Sequence, residues 1–297
     1  MSDGVTTGPR IAFIGLGRMG APMARRLFGA GFRLSLNDAA GPSAADFPGA
    51  GVAPTSATAA DGVDVAIMML PDASVMREVL LGAGGVAPIL RRDGIVVDMG
   101  SSDPYVTREV GEALRGLGIR MIDAPVSGGV AKAATGELAI MAGGAAEDVA
   151  GCEPMLLAMG CRVFHVGDLG AGQAMKALNN LVSAAGLLAV VEALQIGGRF
   201  GLDPGRMVDV FNASTGRNNT TENKAKQFML SGSYASGFAM RLMVKDMASA
   251  LRIAEVENVP AAESAVCLER WRAALAALGA DADHTEIHRW ASAELNA

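Results

Sequence analysis

Directly after the apolar run IAFI at residues 11–14, the chain reads Gly15-Leu16-Gly17-Arg18-Met19-Gly20 and then continues with helical spacing over residues 21–27. This order of strand, glycines and helix restricts the fold more than any other feature of the sequence. Gly15 permits a tight turn, Gly17 lets backbone amides approach a phosphate, Gly20 permits close helix–strand packing, and the helix N-terminus adds partial positive charge. An acidic residue, Asp38, closes the next strand-like run, where a carboxylate accepts hydrogen bonds from ribose hydroxyls and repels a 2′-phosphate. The loop from Gly15 through Leu16, Arg18 and Met19 to Gly20 therefore reads as a dinucleotide site. NAD is favoured over NADP, because Ala39 and Ala40 after the acid offer no guanidinium to cradle an extra phosphate.

The remainder of the N-terminal part fits that start. Apolar runs at residues 11–14, 34–36, 65–70, 95–99, 119–122, 138–141 and 162–166 alternate with helical stretches and read as buried strands. They predict an α/β Rossmann-like domain, doubly wound around a mainly parallel sheet, over residues 1–168. After Gly170 no short β-type run follows, and stretches rich in Ala, Leu, Met, Glu and Arg predict an all-α domain over residues 169–297. Its first helix, at about residues 170–200, would be ~45 Å long at 1.5 Å per residue and could join the two domains. Asp203 before Pro204 reads as an N-cap with a first-turn proline.

Composition narrows the function classes. With 297 residues, 51% hydrophobic and 19% charged, the chain can bury a large core. Its 25 Lys and Arg against 31 Asp and Glu lack the basic footprint of a nucleic-acid binder. Cys152, Cys161 and Cys267 form an odd set without a CxxC pair, which indicates neither a disulfide framework nor a thiolate metal centre and suits a reducing cytoplasm. The N-terminus lacks the pattern of a secretory signal. The most membrane-like stretch, residues 181–198, is interrupted by Ser183, Glu192 and Gln195 and reads as a buried helix with no membrane partner. His284 and His288 in HTEIH have the wrong spacing for a metalloprotease helix and read as part of a solvated terminal helix, with no metal implied.

Two segments carry the chemistry. In DAPVSGG, residues 123–129, Ser127, Gly128 and Gly129 can form a small nest for a carboxylate, or simply a glycine-rich turn. In GAGQAMKALNN, residues 170–180, Lys176 and Asn180 are four apart and share a helix face, while Asn179 is rotated away. A lysine in an apolar helical stretch is desolvated and suited to proton transfer, with Asn180 orienting it, although on spacing alone the plainer reading is a lysine snorkelling from a core helix. Leu70-Pro71 and Ser101 follow strands at the carboxyl edge, where a nicotinamide would sit.

These motifs together resemble the β-hydroxyacid dehydrogenase family. The match rests on GLGRMGAPMA at 15–24, DAPVSGG at 123–129, GAGQAMKALNN at 170–180 and KDM at 245–247, in order and over nearly the whole chain. The resemblance implies reversible NAD(P)-linked oxidation of a small 3-hydroxy acid to its semialdehyde. It implies Lys176 as the catalytic lysine with Asn180 beside it, Ser127, Gly128 and Gly129 as the substrate anchor, and Leu70, Pro71, Ser101 and Lys245 as cofactor contacts. Ser101 stands where the family usually has threonine, and Val75 where the mammalian enzyme has a cofactor-contacting asparagine.

Two alternatives follow from the same residues. A related imine reductase would replace the lysine, which is present here as Lys176, and a redox-silent NAD-binding module would not need both Lys176 and the anchor segment. The polar stretch NASTGRNNTTEN, residues 212–223, with Arg217, Asn218 and Asn219, suits either a substrate with an extra hydroxyl or acid, such as a tartronate semialdehyde or sugar-acid type, or a helix-capping loop. The low charge between Gly170 and Phe200 predicts a homodimer or homotetramer.

Overall fold

The computed structural model describes residues 8–41 and 47–294. The strands are β1 (Arg10–Ile14), β2 (Arg33–Asn37), β3 (Gly51–Val52), β4 (Val65–Met68), β5 (Ile95–Asp98), β6 (Arg120–Asp123), β7 (Val126–Ser127), β8 (Leu138–Gly143) and β9 (Gly160–Gly167). They form one sheet in the order β3-β2-β1-β4-β5-β6-β8-β7, with β9 also on β8. From β3 through β6 every pairing is parallel, and β8 then runs antiparallel to both β6 and β7.

Side-chain alternation explains why helices cover both faces. Ile11, Phe13, Ile67 and Val97 point to one side, against α1 (Gly20–Gly29) and, further along the sheet, α5 (Gly129–Thr135) and α6 (Ala146–Met159). Ala12, Ile14, Met68 and Val96 point to the other, against α2 (Ser56–Ala59), α3 (Ala73–Leu81) and α4 (Pro104–Gly116). Strands buried on both faces read in sequence as continuous apolar runs, which is why most of them were legible. β9 is the exception: Arg162, Phe164 and Val166 are exposed, and the Arg162 guanidinium lies over the Phe164 ring at 4.6 Å. The expected buried strand is thus a solvent-facing one.

The chain divides into two compact units, the first ending at Lys176 and the second beginning at Ala177, so the division falls inside α7 (Ala171–Phe200). The second unit continues with α8 (Pro204–Ala213), α9 (Asn219–Asn223), a π-helical segment (Ala225–Leu230), α10 (Met240–Val256), α11 (Ala262–Leu278), a 3-10 turn (His284–Glu286) and α12 (Ile287–Glu294). Asp203 caps α8 through the Arg206 N–H, with Pro204 in the first turn, as the sequence indicates. Leu187, Val191 and Leu194 of α7 join Met243, Met247, Trp271 and Ile287 in this unit's core. By length and composition alone α7 could cross a membrane, but these residues show one of its faces buried in protein.

Candidate active site

The glycine loop sits where the strand order reverses. β1 pairs with β2 on one side and β4 on the other, and open α/β sheets bind ligands at the carboxyl edge of such a point. Gly15 has φ +97° and donates its N–H to the Asn37 carbonyl, and a Cβ there would stand 2.3 Å from the Met69 carbonyl oxygen. A Cβ on Gly20 would come within 1.9 Å of the Gly15 oxygen. Neither position tolerates a side chain. At Gly17, by contrast, nothing lies within 4 Å of where a Cβ would be, which leaves room for a ligand against the backbone. Met19, the N-cap of α1, supplies no side-chain cap, whereas Asp72, Asp103 and Asp203 cap α3, α4 and α8. The first-turn N–H groups of α1 therefore lack a side-chain acceptor, which fits an incoming pyrophosphate.

Asp38 follows β2 and is half-buried; its carboxylate accepts the Leu16 N–H at 2.6 Å and the Ala40 N–H at 2.8 Å. It is therefore a fixed part of the glycine turn rather than a solvated loop acid. Leu70 and Pro71 follow β4, and Ser101 follows β5, at the same carboxyl edge. The two loops are in close approach, since a Cβ on Gly100 would lie 2.6 Å from the Leu70 oxygen.

Ser127 is the last residue of β7, opposite Ala139, so its hydroxyl is set by the sheet and not by a free loop. Gly128 (φ +140°) and Gly129 (φ +70°) then turn the chain into α5, in conformations that favour glycine. Both glycines are exposed and Ser127 is half-buried.

Beneath these loops lies a buried network that fixes the start of α7. Asp123 at the end of β6 accepts the Gly170 and Gln173 N–H groups, each at 2.7 Å. The Gln173 amide donates to the Asp98 carboxylate (3.1 Å) and the Gly100 carbonyl (3.0 Å), and its oxygen accepts the Ser102 N–H (2.9 Å). Burial pushes the Asp123 carboxyl up to about 7, against the N–H groups of Gly170 and Gln173, and the neighbouring Asp98 adds to the rise. Lys176 lies one turn further along the helix and is buried.

In the second unit Asn180, also buried, donates its amide to the Asp246 carboxylate of α10 at 2.6 Å, and its oxygen accepts from Asn179 at 3.1 Å. Asn179, off the face that Lys176 and Asn180 share, thus still holds its neighbour by a side-chain hydrogen bond. The Lys245 ammonium stands 4.0 Å from the Asp246 carboxylate and is partly exposed. Of the polar stretch, Arg217 is exposed and pairs with Glu222 at 3.7 Å, and the Asn218 oxygen caps α9 through the Thr220 and Thr221 N–H groups. Asn219 is an exposed first-turn residue of that helix. His284 is buried, against the expectation of a solvated helix: its ring meets Phe238 edge-on and its Nδ1 lies 3.0 Å from the Ser236 hydroxyl.

Comparison with known proteins agrees with this geometry. Residues 10–167 match the family model for the NAD binding domain of 6-phosphogluconate dehydrogenase. Residues 170–291 match that described as NAD-binding of NADP-dependent 3-hydroxyisobutyrate dehydrogenase. The chain is 37% identical over 253 residues to the 2-(hydroxymethyl)glutarate dehydrogenase of Eubacterium barkeri, covering 84% of each. It is 34% identical over 289 residues to an NAD-dependent L-serine dehydrogenase of Pseudomonas aeruginosa, covering 94% of this chain and 97% of that one. The structure of Mycobacterium tuberculosis 3-hydroxyisobutyrate dehydrogenase with L-serine superposes with a TM-score of 0.88 at 31% identity, covering 97% of this chain and 99% of that one.

The chain belongs to the β-hydroxyacid dehydrogenase family.

It is accordingly an oxidoreductase acting on a CH–OH group, with a domain that binds NAD(P). In this dehydrogenase the glycine loop, Asp38, Leu70, Pro71, Ser101, the Ser127–Gly129 segment and Lys176 all fall in the first unit, and Asn180 and Lys245 in the second. Sequence reasoning passed over Asp98, Asp123, Gln173 and Asp246. Three of these lie inside motifs already quoted, DAPVSGG, GAGQAMKALNN and KDM, and a buried polar residue within an apolar stretch was the available signal.

Proposed function

We propose that this dehydrogenase oxidises the hydroxyl-bearing carbon of a small 3-hydroxy acid to its semialdehyde with NAD, and that Lys176 accepts the hydroxyl proton. The observation that carries this reading is a buried lysine on α7, whose first turn is tied by Asp123 and Gln173 to the loop bearing Ser101. The dinucleotide supplies the hydride acceptor when bound. Lys176 takes the proton as the carbinol carbon gives up hydride, so one hydride and one proton leave the alcohol. Asn180, one turn along the same helix face and anchored on Asp246, keeps the lysine directed at the hydroxyl. The Ser127 hydroxyl and the Gly128 and Gly129 amides hold the substrate carboxylate. Leu70, Pro71, Ser101 and Lys245 border the cofactor. Asp38 favours NAD over NADP by meeting the ribose hydroxyls and repelling a 2′-phosphate.

The same reading includes self-association as a homodimer or homotetramer. Leu178, Val182, Ile196 and Phe200 expose apolar side chains at helical spacing along α7, with Val182 and Ile196 each 72% exposed and Phe200 84%. A direct test is NADH formation with 3-hydroxyisobutyrate, L-serine and 2-(hydroxymethyl)glutarate, repeated with NADP. Turnover of at least one acid, faster with NAD, supports the reading. Tight NAD binding without turnover of any 3-hydroxy acid supports a cofactor-sensing module instead.

A further inference from the structure

Arg217, in the polar stretch that suits either an extra hydroxyl or acid on the substrate or a capping loop, faces solvent beside Glu222, and a less exposed cation lies seven residues further on. Lys224 sits at the junction where α9 ends and the π-helical segment begins, with its backbone at φ −131° and ψ −42°. π-Helical segments are rare and recur at functional sites. The Lys224 ammonium is half-buried and donates to the Ser183 hydroxyl of α7 at 3.3 Å.

That charge has no matching anion. Among the described residues no carboxylate pairs with Lys224. Asp283, whose field reaches it, has both oxygens filled by the Ser236 hydroxyl, the Gly237 N–H and the Thr285 N–H and hydroxyl. The next residue, His284, is 2% exposed, and its Nε2 has no hydrogen-bond partner among the described residues. Burial, with the positive charge of Lys224 as a further cause, holds the His284 pKa below the ordinary imidazole value, and an imidazole, neutral or cationic, offers the ammonium no counter-charge. Desolvating an ammonium without a counter-ion is unfavourable, and such a position is stabilised when an anion arrives.

Helix α7 says where that anion would belong. Ser183 follows Lys176 by seven residues and Asn180 by three, so all three lie on one helix face. Ser183, which the ammonium touches, stands about 10 Å of helix rise beyond Lys176 along α7, at 1.5 Å per residue. That reach suits a second acidic group several bonds from the reacting hydroxyl.

We infer that Lys224 receives a second carboxylate on the substrate and selects 3-hydroxy dicarboxylic acids over monocarboxylic ones. This rests on the assignment of Lys176 as the proton acceptor, which places the substrate on that face of α7. 2-(Hydroxymethyl)glutarate and 3-hydroxyisobutyrate are a matched pair of probes, because they differ only by a carboxyethyl arm in place of a methyl group.

The test compares kcat/KM for the two acids in wild type, Lys224→Met and Lys224→Arg. The dicarboxylate-to-monocarboxylate ratio should fall at least about tenfold in Lys224→Met, through KM for the dicarboxylate, since a hydrogen bond to a charged group contributes ~1.5 to 3 kcal/mol. Lys224→Arg should restore most of the ratio, which a purely structural role would not require. Calorimetric binding of 2-(hydroxymethyl)glutarate to the same folded variants reads the site without turnover. Weaker binding in Lys224→Met, with no NADH formed by wild type, would sustain Lys224 and remove the proposed reaction. Equal binding in wild type and Lys224→Met, or an unchanged ratio, overturns the inference.

Discussion

At Asp38 one carboxylate serves structure and, in the proposed reading, cofactor selectivity as well. It closes the glycine turn through the Leu16 N–H, and the proposal has its charge meet the adenosine ribose. Replacing it with asparagine keeps a hydrogen-bond acceptor but removes the repulsion of a 2′-phosphate. Asp38→Asn should therefore narrow the NAD-over-NADP ratio of kcat/KM by about tenfold, the scale of one lost charged interaction. A wild-type enzyme that already prefers NADP would contradict the assignment. The nucleotide residues were readable because their reasons are local: each glycine answers to a turn, and Asp38 to the end of one strand. Asp246 was not readable, since its partner Asn180 is 66 residues away and only folding brings them together. Of the two readings of the polar stretch, the capping one holds at Asn218, which is spent on the cap of its own helix.

Among the elements, the start of α7 is the joint on which the proposed active site depends. Gln173 reaches Asp98, Gly100 and Ser102, and it lies one turn before Lys176. Gln173→Leu leaves those groups buried and unmatched, so it should lower the unfolding free energy by about 1 to 3 kcal/mol in a urea titration. No loss would mean that the network is not holding the helix. Asp123 gives the joint a pH dependence. Its folded pKa, near 7, lies above the ordinary carboxylate value of 3.8, so the native state keeps its proton where the unfolded chain has released it. This residue's contribution to stability therefore declines as pH rises from about 4 to about 7 and is level above that. Melting curves of wild type and Asp123→Asn across that range should show the decline in wild type only, and parallel curves would refute it. The seven runs seen in the sequence are β1, β2, β4, β5, β6, β8 and β9, while β3 and β7 have two residues each, too few for any periodicity to register. β9 was recognised as a strand but misjudged as buried, because Phe164 and Val166 are apolar and yet exposed.

For the whole molecule, the apolar side chains along the outer face of α7 carry the expectation about assembly. A face with Val182, Ile196 and Phe200 open to solvent should be covered by another copy of the chain, and light scattering at micromolar concentration should give a dimer or tetramer. A purely monomeric mass would defeat this, and Val182→Asp with Ile196→Asp should shift the oligomer toward monomer. As proposed, the folded chain is a dehydrogenase of small 3-hydroxy acids in which Lys176 moves the proton. The most direct measurement is steady-state NADH formation by wild type and Lys176→Ala, on whichever acid the wild type turns over best, with NAD affinity measured in parallel. Turnover should fall at least ~100-fold, the scale of a lost general acid–base group, with NAD affinity nearly unchanged. Near-normal turnover by a folded Lys176→Ala enzyme would remove Lys176 from the chemistry.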